Sequence, residues 1–463
     1  MTNEHDIARA ANLISRLERM PLNRSLYAAI ATLAWCYILE AFDLGLIGQA
    51  VAVLKQVWNL DSSSVGILGS CSTAGVIIGT AFAGKLADKY GRKRILICGT
   101  FIFTFFTLIG AFYENYYWIV LTRFIAGLGA GAVFPQPYLM ISELSPAKYR
   151  GRLVGACNAI LGVAYILPAG CGAYALNNLS LDAAWRVPFI VGGLPVLTLF
   201  LIHKYLPESP RWLMLHGRFD EVRDMVMRFE KSCGIAHDDT FVDPEILASL
   251  KHSSERRSTR KISWTTIFRP PYLSRSLMCY GLYSVTLITW YVVMVYLPTI
   301  IANHGIALSS AVALVAVFNI ASATGSFAIG PVADKFGRRP ATTLFIGIAI
   351  IAFLLLPSTE SKIGLLILGW LSVCFGVGTN AIFKVYIAEQ YPTELRGMGV
   401  GIGEAVCRFI GGVLATYYLA YIVDAGGINS VFYFLAVAYV LSLVGMWIWG
   451  RETAGRNVED ASE

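Results

Sequence analysis

The chain has 463 residues, is 56% hydrophobic and only 14% charged, and carries a formal net charge of +7. So little polar surface excludes an ordinary soluble protein and points to an integral membrane protein. The positive charge is no nucleic-acid footprint either, because it gathers in the short polar segments between apolar stretches.

Residues 1–25 are polar and charged and lack the short apolar core and small-residue cleavage site of a cleavable signal peptide, so the first apolar stretch is expected to serve as the insertion signal. Six stretches long enough to cross about 30 Å of hydrocarbon as helices lie at 26–53, 64–84, 95–113, 117–140, 153–175 and 187–206. The pattern then breaks at Pro207-Glu208-Ser209-Pro210-Arg211-Trp212. An amphipathic run, Asp220 to Val226, and a basic polar stretch from Ser253 to Lys261 follow, so 207–272 reads as a linker with short helices. Six more stretches lie at 275–301, 309–331, 341–357, 363–388, 398–422 and 430–449, before a polar tail at 451–463. The predicted organisation is all-α: an N-terminal segment 1–25, a six-helix bundle 26–206, the linker 207–272, a second six-helix bundle 273–450, and the tail.

Of the 37 Lys and Arg residues, 31 fall in the N-terminal segment, the central segment 204–275, the tail and the loops near 85–94, 148–152, 335–339 and Arg396. Such residues concentrate in cytoplasmic loops, which puts both termini in the cytoplasm and the chain in the cell (inner) membrane. Lys55, Arg186 and Lys362 are left for the far side, and Arg123, Lys384 and Arg408 lie within predicted spans. Most of the nine cysteines also lie within spans, where small packing residues are expected in place of disulfides or a metal site.

The two halves repeat each other at an offset of 246 residues. Gly84-Lys85-Leu86-Ala87-Asp88-Lys89-Tyr90-Gly91-Arg92 returns as Gly330-Pro331-Val332-Ala333-Asp334-Lys335-Phe336-Gly337-Arg338, and Glu143, Pro146, Arg150 and Gly151 return as Glu389, Pro392, Arg396 and Gly397. Two motifs in one register argue for a duplicated half, and parallel membrane repeats are a transporter architecture. No Walker-type phosphate loop appears, so ATP hydrolysis is unsupported as an energy source.

These residues resemble the major facilitator superfamily over essentially the whole chain. Gly84 to Arg92 looks like its loop between the second and third helices, and Arg123-Phe124-Ile125-Ala126-Gly127-Leu128-Gly129-Ala130-Gly131 looks like its fourth-helix signature. Glu143 to Arg152 with Pro207 to Trp212 is similar to the sugar-porter and metabolite:proton symporter group. The proton-coupled sugar porters of that group carry amides along the seventh helix, whereas alignment on Tyr296-Leu297-Pro298 puts Val285, Thr286 and Tyr291 there. A sugar needs directional partners for its hydroxyls, so a hexose is disfavoured. Glu40-Ala41-Phe42-Asp43, the pair Trp290-Tyr291 and Arg408 resemble features of the branch that carries nicotinate, aromatic acids and other organic ions. Gly162 is the repeat counterpart of Arg408, so that arginine belongs to one half only.

A charge at bilayer depth costs at least roughly 2.5–3.5 kcal/mol, so each needs a partner or a watery cavity. In the resemblance Asp43 faces Arg123 and is the proton site; the pair is either a coupling device or a permanent tie between two helices, with Glu40 either near the outer cavity wall or a secondary acid. Glu404 and Arg408, at i and i+4, either neutralise each other or leave Arg408 to fork a substrate carboxylate, with Lys384 either assisting or snorkelling towards the cytoplasm. Trp290, Tyr291, Tyr296, Phe383 and Trp370 are candidate stacking residues. The amides Asn158, Gln136, Asn319 and Asn380 are either ligands or helix-to-helix ties. Asp88 and Asp334 could cap helix N-termini, while Arg92, Glu143, Arg150, Glu208, Arg211, Arg338, Glu389 and Arg396 could form an ion-pair lattice that closes one face, which the resemblance makes a conformational latch favouring the outward-facing state.

The expected protein is a monomeric twelve-helix, two-bundle transporter that imports a small organic anion with a proton as coupling ion. No other cofactor, no metal and no enzymatic activity are expected. The alternatives are a sugar or polyol carrier, proton-coupled efflux of an organic ion, and a non-transporting membrane sensor.

Overall fold

The computed structural model describes residues 4–235, 238–248, 264–293, 307–359, 361–391, 393–427 and 429–452, and within these spans a few side chains lie outside the description. The chain opens with a helix that the composition of residues 1–25 did not lead us to expect, α1 (Glu4–Glu18). The first bundle follows as α2 (Arg24–Val57), α3 (Ser62–Tyr90), α4 (Arg92–Gly110), α5 (Tyr116–Leu144), α6 (147–178) and α7 (Leu181–Tyr205). The linker carries α8 (Pro210–Leu215) and α9 (Phe219–Cys233). The second bundle comprises α10 (Tyr272–Tyr291), α11 (Leu308–Phe336), α12 (Arg338–Leu355), α13 (362–389), α14 (393–426) and α15 (Asn429–Trp449). Eleven of these helices are long and apolar enough to cross a membrane within the described residues. The twelfth is α10, whose predicted span to residue 301 runs into 294–306, outside the described residues and including Tyr296.

Chain chemistry sets the helix starts. The side chains of Asn23, Asp61, Asn115, Ser209 and Ser361 each accept from a backbone N–H in the first turn that follows. Glycine sets how closely helices pack. A Cβ on Gly75 or Gly79 of α3 would run into the α5 backbone at Phe124 or Leu128, and one on Gly127 or Gly131 of α5 would run into α3 at Ser72 or Val76. Two pairs of glycines four residues apart thus seat α3 and α5 backbone to backbone, as small residues do between membrane helices. In the second half, Gly325, the repeat mate of Gly79, meets the backbone of Cys374.

Both termini of the described chain and the linker lie at one end of the bundles, here the linker end. Towards the opposite end the halves touch directly. Gly66 of α3 abuts the Tyr417 backbone, Gly172 of α6 packs on Val312, and Gly412 of α14 packs between Thr73 and the Tyr291 ring. Outward-facing Phe82, Phe112, Phe327, Leu441 and Ile448 are exposed, as residues facing lipid should be.

Candidate functional site

Asp43 of α2 and Arg123 of α5 form a bidentate pair inside the first half, with Nη1 to Oδ1 at 2.7 Å and Nη2 to Oδ2 at 2.9 Å. Thr107 of α4 donates to Oδ1 at 2.6 Å and accepts from Nη1 at 2.8 Å, while Nε of Arg123 donates to Ser72 at 3.1 Å. Nη2 also reaches the Asp43 carbonyl, and the Phe189 ring lies 5.9 Å from the guanidinium carbon. Arg123 is fully buried and Asp43 is 1% exposed. Four membrane helices therefore converge on one ion pair, and the glycine contact between α3 and α5 is what brings Ser72 to Arg123. Thr107 and Ser72 carry no sequence signal that separates them from other hydroxyls in helices. Glu40, one turn before Asp43, is 1% exposed and lies within electrostatic reach of Tyr37 and Tyr165.

Arg408 stands where the two halves meet. Its Nε donates to Oε1 of Glu404 at 3.0 Å, and the Tyr283 hydroxyl of α10 donates to Oε2 at 2.8 Å. Its guanidinium carbon sits 4.2 Å from the ring centroid of Phe134, which belongs to the first half. Tyr165, Tyr283 and Tyr291 all lie within its electrostatic reach. Tyr165 packs edge to face on Trp290 at 5.2 Å, Trp290 on Tyr291 at 4.8 Å, and Thr73 donates to the Tyr291 hydroxyl at 3.4 Å. Tyr291 is 4% exposed, and Trp290 is half-buried. One cation is thus ringed by aromatic groups from both bundles.

Interrupted helices place these groups. α5 breaks at Phe134 just before Pro135, and α6 breaks at Tyr165 just before its Pro168 turn, because proline removes a backbone donor and crowds the preceding carbonyl. Directly after Arg408, residues Phe409–Ala415 adopt π-helix, a distortion frequent at functional sites. Phe134 and Tyr165 were not among the residues singled out from the sequence, although the nearby prolines mark both positions.

Of the amides, Gln136 is fully buried and neither its amide oxygen nor its nitrogen finds a partner among the described residues; the oxygen of half-buried Asn380 likewise has none. Asn319 donates to the Val315 carbonyl of its own helix at 3.0 Å. Phe383 is buried with its ring 6.4 Å from that of Tyr283, and Trp370 packs half-buried against the second-half core. The side chains of Asn158, Lys384, Arg150, Asp334 and Arg396 lie outside the described ones.

At the linker end, Arg92 pairs with Glu143 at 2.9 Å wholly within the first half, and Arg338 with Glu389 at 3.2 Å wholly within the second. Ser209 donates to Glu143 at 2.5 Å. The carboxylate at the start of α4 is Glu208, which accepts from the backbone of Lys93 at 3.0 Å; Asp88 is exposed and offers its carbonyl to the Trp212 indole at 2.8 Å. At the equivalent start of α12, Glu452 accepts from the backbones of Arg338 and Arg339 at 2.7 and 2.9 Å. Arg211 is exposed and, with Glu18 and Glu143, borders a small cavity between α1, α8 and the α5–α6 turn.

The N-terminal helix belongs to this assembly. Arg16, fully buried, bonds Glu230 through Nε at 2.9 Å and Nη2 at 2.6 Å, and Asp239 through Nη1 at 2.7 Å. The two acids hold the Arg16 guanidinium above its ordinary value despite burial, the Glu230 hydrogen bonds contributing most. Ile7, Ala10, Leu13 and Leu17 bury the other face, a helical periodicity legible in the sequence.

Comparison with known proteins bears on the family and the fold. The family model for sugar (and other) transporters matches residues 28–463. The niacin transporter NiaP of Acinetobacter baylyi is 26% identical over 97% of this chain and 99% of its own length. The 4-hydroxybenzoate transporter PcaK of Pseudomonas aeruginosa is 27% identical over 84% of each, and the glucose transporter GlcP of Staphylococcus epidermidis 29% over 91% and 93%. Among solved structures, a D-xylose-proton symporter superposes with a TM-score of 0.73 at 20% identity, covering 93% of this chain and 99% of that one, which fixes the twelve-helix architecture. These relatives are transporters and not enzymes. A family match over nearly the whole length, on a fold of two repeated bundles, makes this chain a multi-pass membrane transporter of the sugar (and other) transporter family, within the major facilitator superfamily.

Proposed function

We propose that this transporter is a proton-coupled symporter that imports a small organic anion, an aromatic or heteroaromatic monocarboxylate of the nicotinate or 4-hydroxybenzoate kind. The carrying observation is Arg408, a planar cation at the meeting of the halves with Phe134, Tyr165, Trp290 and Tyr291 around it. A guanidinium forks a carboxylate, and aromatic faces receive a flat ring. The names of the niacin and 4-hydroxybenzoate relatives favour the same class. Asp43 is the proton site of this reading: it is buried and paired with Arg123, so a movement that loosens the pair changes its hold on a proton. Orientation follows the basic loops, with both termini cytoplasmic in the inner membrane and the protein a monomer. The cross-half contacts at and beyond the site support reading this conformation as closed to the outside. The linker-end pairs Arg92–Glu143 and Arg338–Glu389 then stay within their halves until closure brings them together.

A neutral polyol is the second reading, favoured by Gln136 and Asn380, whose amide atoms lack partners among the described residues, and by the glucose-transporting relative. A thermal-shift screen of the purified protein against nicotinate, 4-hydroxybenzoate, glucose and xylose separates the two, since ligands that bind the folded state raise its melting temperature. Stabilisation by carboxylates that is lost in Arg408→Ala supports the anion reading; stabilisation by sugars alone overturns it.

A further inference from the structure

The 246-residue repeat extends from sequence to contacts. A Cβ on Gly79 of α3 would strike Leu128 of α5, and one on Gly325 of α11 would strike the backbone of Cys374 on α13. Arg92 pairs with Glu143, and Arg338 with Glu389. Each member of the second contact lies 246 residues after its mate in the first, so α5 and α13 keep one register on either side of Phe134 and its counterpart Asn380. Both helices are interrupted there: α5 breaks at Phe134, while α13 tightens to a 3-10 turn over Val377–Thr379 and resumes at Asn380.

Phe134 lies over Arg408 of the other half. Parallel halves are related by a two-fold axis along the membrane normal, which carries that contact onto its image: Asn380 towards Gly162 of α6, the counterpart of Arg408. One wall of the meeting place thus holds a ring and a cation, and the facing wall an amide and a residue without a side chain. Asn380 is half-buried, and its buried amide oxygen has no partner among the described residues. Its neighbours on α13 tie it to the site: the Thr379 hydroxyl lies 3.3 Å from that of Thr286 on α10, and Phe383 packs on Tyr283, which donates to Glu404 beside Arg408. Gly162 lies one turn before Tyr165, and a Cβ there would meet no described atom within 4 Å.

We infer that Asn380 is a specificity-determining residue that hydrogen-bonds a polar group on the cargo ring, across the ring from the carboxylate on Arg408. An amide both donates and accepts, so its NH2 serves a ring nitrogen and its oxygen a phenolic hydroxyl. An acid with a bare ring leaves the amide unpaired when it binds, and a polar site penalises that. The cargo class narrows from any aromatic monocarboxylate to one with a second hydrogen-bonding group remote from its carboxylate. The inference rests on the anion reading. Lys384, one turn further along α13, has its side chain outside the described ones, and the test treats it separately.

The test compares dissociation constants of 4-hydroxybenzoate and benzoate, measured by calorimetry on the detergent-purified protein. Wild type is expected to prefer 4-hydroxybenzoate about tenfold, roughly the effect of one neutral hydrogen bond. In Asn380→Leu the ratio falls to near one, benzoate binds as in wild type, and the melting temperature is kept, because the amide oxygen makes no hydrogen bond among the described residues that the variant would lose. In Lys384→Met the ratio persists. Gly162→Leu fills the facing wall and weakens both acids about tenfold, the scale of overpacking in a closed site. Four results overturn the inference: no preference in wild type, a preference kept in Asn380→Leu, a preference lost in Lys384→Met, or wild-type binding of both acids by Gly162→Leu. A preference kept in Asn380→Leu together with a lowered melting temperature marks a tie between helices instead. In each of these cases the anion reading stands as long as Arg408→Ala loses benzoate. If wild type binds neither acid, that reading falls and takes the inference with it.

Discussion

Asp43→Asn is the most informative single change. The carboxylate takes three short hydrogen bonds, from Thr107 at 2.6 Å and from the two terminal nitrogens of Arg123 at 2.7 and 2.9 Å. Asparagine keeps the volume and one acceptor but turns an NH2 group towards a guanidinium N–H, donor against donor. Among the described residues, Arg123, with no exposure, retains Ser72, Thr107 and a backbone carbonyl as hydrogen-bond partners. Removing one member of a buried pair typically costs about 3–5 kcal/mol, a large part of the about 5–15 kcal/mol that holds a protein folded. The variant is therefore expected to fold with a clearly lowered melting temperature, and no cavity is created to worsen this. In proteoliposomes with an inward proton gradient, it should fail to accumulate labelled nicotinate above equilibrium, because the site can no longer carry the proton. Counterflow, which exchanges labelled for unlabelled cargo without net proton movement, should continue. Gradient-driven accumulation by Asp43→Asn at wild-type levels would refute Asp43 as the proton site.

Four further outcomes follow from the same geometry. Arg408→Ala should weaken binding of carboxylates by about 2–5 kcal/mol, the range for truncating one partner of a buried charge pair, read as the dissociation constant of 4-hydroxybenzoate. Arg16→Ala strands Glu230, which is 2% exposed and retains Arg19 at 3.2 Å; a loss of stability approaching 3 kcal/mol is expected, measured by melting temperature, with early proteolysis between α1 and α9. Gly131→Val drives a side chain into the Val76 backbone, so overpacking of about 1–3 kcal/mol should appear together with loss of transport, since α5 carries Arg123. Gly412→Val meets the Thr73 methyl and the Tyr291 ring, and should impair closure of the opposite end; solvent labelling of a cysteine placed near Gly66 should rise.

Much of this protein was legible in its residues because the bilayer demands it. Long apolar runs, the 246-residue repeat and the lopsided distribution of Lys and Arg determine a duplicated twelve-helix membrane protein, since hydrocarbon admits few other solutions. The rarity of charge within spans likewise singled out Asp43, Arg123 and Arg408, which could not be buried without partners or a task. The helix α1 is carried by the spacing of Ile7, Ala10, Ile14 and Leu17, a period that the polar composition of residues 1–25 masks.

Only the folded chain could say which partners these residues find. Thr107 and Ser72 are ordinary hydroxyls until α3, α4 and α5 pack around Arg123, and that packing depends on glycines whose worth lies in the backbone opposite them. Glu208 and Glu452, 244 residues apart and so off the repeat register, cap the equivalent helices α4 and α12 because their chains return past those N-termini. Phe134 comes to lie on Arg408 only because two bundles, joined through a long linker, close against each other. Periodicity and composition act within one helix, whereas a transport site is made from the distances between helices, and those are set by the tertiary fold.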